Sequence, residues 1–323
     1  MTDATTTPSG GPAGSSGPAG SSGPAGSIYD IGYRRYEGPR LGRANAIRSL
    51  FFHSLRSSFG LGRGGRAKIA PVILGILALL PAILIVGALT LFAQFASGGA
   101  VGDEFAAEVP VRYDTYAGTI STIVILFCAA QAPELFGRDQ RHGVLALYFA
   151  RALRRTDYAF ARIGGFIAAL LLLELVPQVV LFLGRVLLSP DIPAGIREDL
   201  PSFGPVLAQS ILSAGLLGGL AMTVSAFTPR RAYAVAGIIA LFIIPNVVAG
   251  VVVGLGSSAI GTWLSLLSPT TVLDGTNAFL FGTRLDTDFF FLDLPDWAFL
   301  AAALAGIAGS IGVTVRRFMR ITA

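Results

Sequence analysis

The sequence predicts an all-α polytopic membrane protein with six transmembrane helices and with both termini in the cytoplasm. The first observation is composition: 53% of the 323 residues are hydrophobic, 13% are charged, and the mean hydropathy is +0.68. An average soluble domain carries about twice that share of charged residues. The second observation is a set of six long apolar stretches, and the third is an uneven distribution of basic residues between them.

Residues 1–27 form a tail rich in Gly, Pro, Ala and Ser. The tail contains no Lys, no Arg and no apolar run, so we do not expect a secretory signal peptide here. From Gly11 onwards a Gly recurs at every third position, as in collagen, but the run is too short to hold a triple helix. This composition predicts a disordered tail.

Residues 28–68 are basic and contain a candidate amphipathic helix at 44–59. Apolar side chains recur there at helical spacing, with polar side chains on the opposite face. The apolar positions are Ile47, Leu50, Phe51, Leu55 and Phe59, and the polar positions are Ser49, His53, Arg56 and Ser57. Arg48 interrupts the apolar face unless its side chain reaches out to the surface. We expect this helix to lie in the cytoplasmic membrane interface; the alternative is a basic helix packed on soluble loops.

Six apolar stretches within the predicted membrane domain, residues 69–323, are each long enough to cross a bilayer. The predicted spans are about 69–95, 116–136, 160–187, 203–227, 232–255 and 297–315. Pro133 and Glu134 mark the predicted end of the second span. Pro245 and Asn246 interrupt the fifth, where the helix is expected to kink.

The basic residues predict the orientation of these spans. With the N-terminus inside, 20 of the 24 Lys and Arg residues fall in cytoplasmic segments. The four on or near the outer side are Arg112, Arg185, Arg197 and Arg284. Because cytoplasmic loops of membrane proteins are enriched in basic residues, both termini are predicted to be inside. Anionic lipid at the inner face also accounts for an isoelectric point of about 9.7 without any nucleic-acid partner.

The cytoplasmic loop after the second span, at about 137–157, holds an apolar segment at 144–150 that is too short to cross the membrane. Arg residues frame this segment, and Thr156 is a candidate N-cap for the next helix. Such a patch indicates contact with a protein partner or with the membrane surface; the alternative is an interfacial hairpin without a partner. The candidate contact residues are Glu134, Arg138, Leu145, Leu147, Tyr148, Phe149, Arg151, Arg154 and Arg155.

The third span carries the only clear ionisable group within a predicted membrane segment, Glu174, with Gln178 and Arg185 on the same helix face. Arg185 lies about 16 Å along the helix axis from Glu174, too far for a direct bond. Glu174, Gln178 and Asn246 are therefore candidates for a translocation path or a subunit interface. Packing of Glu174 inside the bundle, with Arg185 reaching the outer surface, is an equally good interpretation.

Residues 257–295 mix aromatic side chains with Asp, and Pro269 and Gly275 break the segment too often for a span. Short helices half-sunk in the outer interface are predicted.

Missing residue types exclude several kinds of chemistry. Cys128 is the only cysteine and His53 and His142 are the only histidines, so neither a disulfide nor a metal site on this chain is expected. The single lysine, Lys68, follows Ala67 and precedes Ile69, which does not fit an ATP-binding P-loop. Hydrolase motifs are also missing, so the chain itself is not expected to be an enzyme.

Three segments resemble type-2 ATP-binding cassette (ABC) exporter permeases, actinobacterial ones among them. They are Ile28-Tyr-Asp-Ile-Gly-Tyr-Arg-Arg-Tyr-Glu-Gly-Pro-Arg-Leu-Gly-Arg43, Leu147-Tyr-Phe-Ala-Arg-Ala-Leu-Arg-Arg-Thr-Asp-Tyr158 and Leu267-Ser-Pro-Thr-Thr-Val-Leu-Asp-Gly275. The likeness covers residues 28–323 together with the six-span pattern.

This resemblance implies a multi-pass subunit of the cell membrane that exports a substrate of unknown identity. Its loop at 137–157 would be the coupling helix that docks on a separate ATPase, which would bind ATP and Mg. Two permease subunits would form the pathway within the lipid, and a re-entrant or short-helix segment would fall at 257–295. The alternative is an ATP-independent membrane protein, either a secondary transporter that uses Glu174 or an anchor for a cytoplasmic complex.

Overall fold

The computed structural model describes residues 38, 41–96, 113–150, 153–189, 191–255, 258–283 and 294–320. The chain divides into two units, Met1–Arg40 and Leu41–Ala323. The predicted disordered tail at 1–27 lies outside the described residues. Everything below concerns the second unit.

Helices account for nearly all of this unit. They are α1 (Gly42–Ser58), α2 (Gly65–Ala96), α3 (Tyr113–Arg141), α4 (Leu145–Phe149), α5 (Arg155–Leu188), α6 (Ile192–Phe227), α7 (Arg231–Gly254), α8 (Ser258–Ser265), α9 (Pro269–Phe281) and α10 (Asp296–Met319).

Six of these helices, α2, α3, α5, α6, α7 and α10, are long and apolar enough to cross a membrane. The protein is therefore a multi-pass helical membrane protein, as its apolar stretches predict. The spans begin and end up to 11 residues beyond the predicted limits, as where α6 starts at Ile192 instead of residue 203. The added turns are amphipathic ends that a hydropathy pattern does not detect.

One helix limit differs from the prediction. α3 continues through Pro133 and Glu134 to Arg141, whereas α7 remains one helix across Pro245, where a kink is predicted. Each proline removes only one backbone donor, a loss that neighbouring helices tolerate in a membrane bundle.

The start of α5 also differs, since its N-cap is Arg154 and not Thr156. The backbone N–H of Arg154 donates to Asp157 Oδ2 at 3.0 Å. An acidic side chain three residues into a helix commonly closes the N-terminus in this way, and it outweighs the preference for Thr at the cap.

The predicted apolar face of α1 packs against α5. Leu50 is buried and Phe51 lies against Gly164 and Gly165 of α5. Ser57, which was placed on the polar face, is buried as well, together with Ser54 and Ser58. Small side chains let two helices approach closely, and Ser54 Oγ donates to Leu50 O at 2.7 Å, which satisfies its hydroxyl.

The centre of the bundle is formed by α3, α5, α6 and α10. Gly215 lies against Ile307 of α10, and Gly219 lies against Ser310, so this pair of glycines packs within the bundle. Gly254 of α7 differs from this pair. A Cβ atom added at Gly254 would have no neighbouring atom within 4 Å, so no other helix packs closely against this glycine in the described part of the chain.

The segment before the last span contains the two predicted short helices, α8 and α9. Ser268 caps α9 by accepting a hydrogen bond from Thr271 N, and Gly282 ends it with a φ of 65°. Gly275 of α9 meets the ring of Phe299 on α10. Residues 284–293 of the predicted interfacial segment lie outside the described residues.

Candidate functional site

The candidate coupling helix α4 presents two different faces. Leu145, Tyr148 and Phe149 lie on one face, where Leu145 is buried and the two aromatic side chains are half-buried. Leu147 lies on the other face with 68% of its surface exposed. Positions i, i+3 and i+4 share one face of a helix, which places position i+2 opposite. Of the four apolar side chains predicted to contact a partner, Leu145 is unavailable because it is buried in the bundle, Tyr148 and Phe149 are partly accessible, and Leu147 is the most exposed.

An aromatic cluster anchors the inner face of α4. Tyr158 of α5 lies at its centre, with its ring 5.3 Å from that of Tyr148 and 5.9 Å from that of Phe149. Phe136 of α3 and Phe318 of α10 contact the same tyrosine at 6.0 and 5.3 Å. The cluster thus joins α4 to three membrane spans, α3, α5 and α10.

A buried ion pair lies beside this cluster. The guanidinium of Arg162, which is 3% exposed, donates to Asp139 at the end of α3. Tyr158 Oη donates to Asp139 Oδ2 at 2.7 Å, and Arg162 Nη2 donates to Tyr148 Oη at 3.3 Å. In the sequence, Arg162 is one of the 20 basic residues assigned to cytoplasmic segments. An Arg eight positions into a membrane-facing helix was the available signal, since such a charge requires a partner.

Glu134 joins three elements instead of facing solvent. Its Oε2 accepts from Arg63 in the connection between α1 and α2 at 3.0 Å, and its Oε1 accepts from Arg231 of α7 at 3.1 Å. Arg63 also donates to Ser57 O. Glu134 therefore holds the cytoplasmic ends of α3, α7 and the α1 region together, which does not match the predicted contact with a partner.

The predicted contact arginines have different environments. Arg138 and Arg154 are exposed. Arg155 donates to Met319 O at 3.1 Å, and its guanidinium lies 5.7 Å from the Phe149 ring centre. Arg151 lies outside the described residues. At the start of α5, Asp157 accepts two bonds from Arg43 of α1, at 2.7 and 2.6 Å.

A cavity of about 920 Å³ opens between α1 and α4, and we call it the cytoplasmic groove. Its walls are strongly charged, and they include one side of the exposed Leu147. The charged and titratable lining residues are His53, Arg63, Glu134, Arg138, Asp139, His142 and Arg162. Burial, and next the nearby Arg162, lower the pKa of His53, so its imidazole is neutral at pH 7. Within this lining Glu134 pairs with Arg63 and Asp139 pairs with Arg162, and Arg138 is exposed.

A second cavity, of about 30 Å³, lies within the membrane part of the bundle, and we call it the membrane cavity. Its polar lining residues come from four helices: Ser121 of α3, Glu174 and Gln178 of α5, Gln209 and Ser213 of α6, and Thr270, Asp274 and Asn277 of α9. Glu174 is 4% exposed and accepts a hydrogen bond from Ser213 Oγ at 2.8 Å.

The structure separates the other polar residues from this cavity. Arg185 pairs with Asp199 of α6 at 3.0 Å and lies 5.5 Å from the Tyr113 ring centre. Asn246 lies exposed on α7 and is not among the residues that line the cavity. The structure thus brings Glu174 and Gln178 to one cavity and places Asn246 apart from them; the path or interface predicted for the three residues stays a prediction.

The outer half of α3 carries an exposed polar face beside the membrane cavity. Gly118, Thr119 and Thr122 are exposed, and Ser121 is half-exposed. The hydroxyls of Thr119 and Ser121 donate to backbone oxygens of the same helix, to Thr115 O at 3.0 Å and to Gly118 O at 2.7 Å, so these two groups are satisfied within α3.

The chain matches no protein-family model, and no curated protein is significantly similar to it. Among the described residues, no three His, Cys, Asp or Glu side chains come together to hold a metal ion.

Proposed function

We propose that this protein is the membrane-spanning permease subunit of an ABC exporter of the cell membrane, driven by a separate ATPase that docks on α4. The supporting observation is the exposed Leu147, held beside the cytoplasmic groove by a helix whose other face is locked into the bundle. An exposed apolar side chain near exposed arginines, on a helix that packs against the bundle, is suited to anchor a protein interface.

The contacts of α4 explain how ATP hydrolysis elsewhere would drive transport. A movement of the ATPase pushes on Leu147, and the Tyr158 cluster carries that displacement into α3, α5 and α10. The Asp139–Arg162 pair ties α3 to α5 at their cytoplasmic ends, and Arg162 also donates to Tyr148 of α4. The single lysine, Lys68, does not fit a P-loop, so in this proposal ATP and Mg bind to the partner.

Two copies of the chain form the pathway in this proposal. The exposed polar face of α3, with Gly118, Thr119 and Thr122, lines the path or the subunit interface, and lipid covers the apolar faces of the other spans. The reaction is a change of access from one side of the membrane to the other. The buried acid Glu174 supports a second candidate, an ion-coupled transporter that needs no ATPase.

The test is copurification of the tagged chain from its native membrane, followed by identification of the bound proteins. An ATPase with a P-loop is expected at about one copy per permease. In the proposed interface the ATPase buries Leu147, and burial of one leucine stabilises such a contact by about 1.5–3 kcal/mol. Leu147→Asp places a charge at that contact, so it should remove the ATPase and abolish export while leaving the permease in the membrane.

The matched control is Leu41→Asp, since Leu41 at the start of α1 is 65% exposed but lies off α4. It should retain both the ATPase and export. Undiminished ATPase on the Leu147→Asp variant would show that α4 is not the docking element. Transport by the purified chain without any ATPase would favour the ion-coupled candidate.

A further inference from the structure

We propose that the membrane cavity binds one small monovalent cation, held by the Glu174 carboxylate and by the amide oxygens of Gln178, Gln209 and Asn277. This site concerns the chain by itself and does not depend on the ATPase proposal.

The first argument is charge. Glu174 is almost completely buried, and its only hydrogen bond in the described structure comes from the neutral Ser213 hydroxyl. The residues that line the cavity include no Lys, Arg or His. An ionised carboxylate in such a place requires a counter-charge, because desolvation of an unpaired charge is very costly. A bound cation supplies that charge.

The second argument is a set of oxygens without donors. Gln178 Oε1, Gln209 Oε1 and Asn277 Oδ1 are buried and have no hydrogen-bond partner in the described structure. A buried acceptor left in this state costs free energy until a donor or a cation reaches it.

The orientation of two of these amides follows from their NH2 groups. Gln209 Nε2 donates to Leu273 O at 3.3 Å, and Asn277 Nδ2 donates to Asp114 O at 2.6 Å. A backbone carbonyl accepts only from the nitrogen end of an amide, so the oxygen ends are the ones that remain without a donor. At Gln209 and Asn277 the atom without a partner is therefore an oxygen, which can accept from a donor or bind a cation.

The third argument concerns which occupant fits. A volume of about 30 Å³ accommodates a single ion or a single water molecule. Water would donate to two of the oxygens but would leave the negative charge of Glu174 uncompensated. The ligands are all oxygen atoms, which bind hard cations. Glu174 is the carboxyl group of the lining that lies inside the bundle, whereas Asp274 lies at the cavity edge, where burial of its carboxyl raises its pKa to about 6. The site is assigned to a monovalent ion on the single charge of Glu174.

The experiment uses the purified full-length chain in lipid nanodiscs. Thermal unfolding is followed while NaCl or KCl replaces choline chloride at constant ionic strength, and binding of radioactive sodium is measured at equilibrium. We expect a saturable rise in Tm with Na⁺ or K⁺ but not with choline, which is too large for the cavity, and one ion bound per chain.

Glu174→Gln should weaken the apparent affinity about tenfold or more, because it removes the charged ligand. Gln178→Leu should also weaken it, whereas Asn246→Leu, on the exposed face of α7, should bind as the unaltered chain does. If Glu174→Gln does not fold, the ion affinity of Gln178→Leu is compared with that of the unaltered chain.

Three results would overturn the site. They are a Tm of the unaltered chain that is the same in all three salts with no bound sodium, equal ion affinity in Glu174→Gln and in the unaltered chain, and a saturable response to Ca²⁺ in place of the monovalent ions. Loss of ATPase copurification would leave all of these measurements unaffected.

Discussion

Arg162 and Asp139 are the residues whose pairing decides the stability of the cytoplasmic end of the bundle. Both are buried, and the tyrosines at 148 and 158 add hydrogen bonds to the same pair. A buried ion pair contributes little net stability compared with apolar residues of the same volume, but loss of one partner leaves an uncompensated charge.

We therefore predict that Asp139→Leu lowers the free energy of unfolding by about 3–5 kcal/mol, measured by denaturant titration in detergent micelles. The double variant Asp139→Leu with Arg162→Met should recover most of this loss, because it removes both charges. Arg43→Ala provides a comparison at the Arg43–Asp157 pair, whose arginine side chain is 43% exposed, and should cost less. Equal losses in all three variants would contradict the role given to the buried pair.

The outcome at single residues also shows why sequence reasoning reached only part of the site. The apolar segment at 144–150 was detectable, but the facing of Tyr148 and Phe149 toward Tyr158 depends on the fold of three other helices. The same is true of Asp139, whose partner Arg162 is 23 residues away in the chain. Asn246 was selected for its polarity in an apolar stretch, a property that does not indicate which face of a helix it occupies.

At the scale of the element, α1 and α5 form the contact that fixes one wall of the cytoplasmic groove. Two adjacent glycines of α5 meet α1 at different distances. A Cβ at Gly165 would lie 2.6 Å from Ser54 Cβ and 2.7 Å from Phe51 O, whereas a Cβ at Gly164 would lie 3.5 Å from the Phe51 ring. Only the first approach is too close for a side chain.

This difference gives a matched pair of variants. Gly165→Ala should loosen α1 from α5 and lower the Tm, because the backbone at Phe51 cannot yield. Gly164→Ala should be neutral or stabilising by up to about 1 kcal/mol, since alanine favours a helix over glycine. Thermal unfolding and limited proteolysis near Gly62 measure both effects. Equal behaviour of the two variants would mean that α1 does not pack as described.

The element scale is also where the sequence was most informative. Hydropathy and length were sufficient to find all six spans, because burial in lipid demands about 20 apolar residues. The apolar face of α1 followed from the 3.6-residue period. The helix ends could not be predicted from these patterns, because α3 continues through Pro133 and because Asp157, inside α5, caps that helix.

For the whole molecule, the orientation in the membrane rests on the distribution of basic residues. We predict that both termini are cytoplasmic, with the connection between α5 and α6 outside and the connection between α6 and α7 inside. In a Cys128→Ala background, which removes the buried cysteine, an impermeant thiol reagent added to intact cells should modify Asp191→Cys and spare Arg154→Cys and Arg230→Cys. Labelling of Arg154→Cys from outside would reverse the topology.

The proposed function depends on an ATPase that docks on α4 at Leu147. A photoreactive amino acid placed at residue 147 in the full-length chain, with illumination of native membranes and mass spectrometry of the products, tests it most directly. If an ATPase docks there, we expect one dominant crosslink from position 147 to a protein that carries a P-loop, and none from the same amino acid at position 41. Crosslinks from position 147 to lipid alone, or to a protein without a nucleotide site, would contradict it.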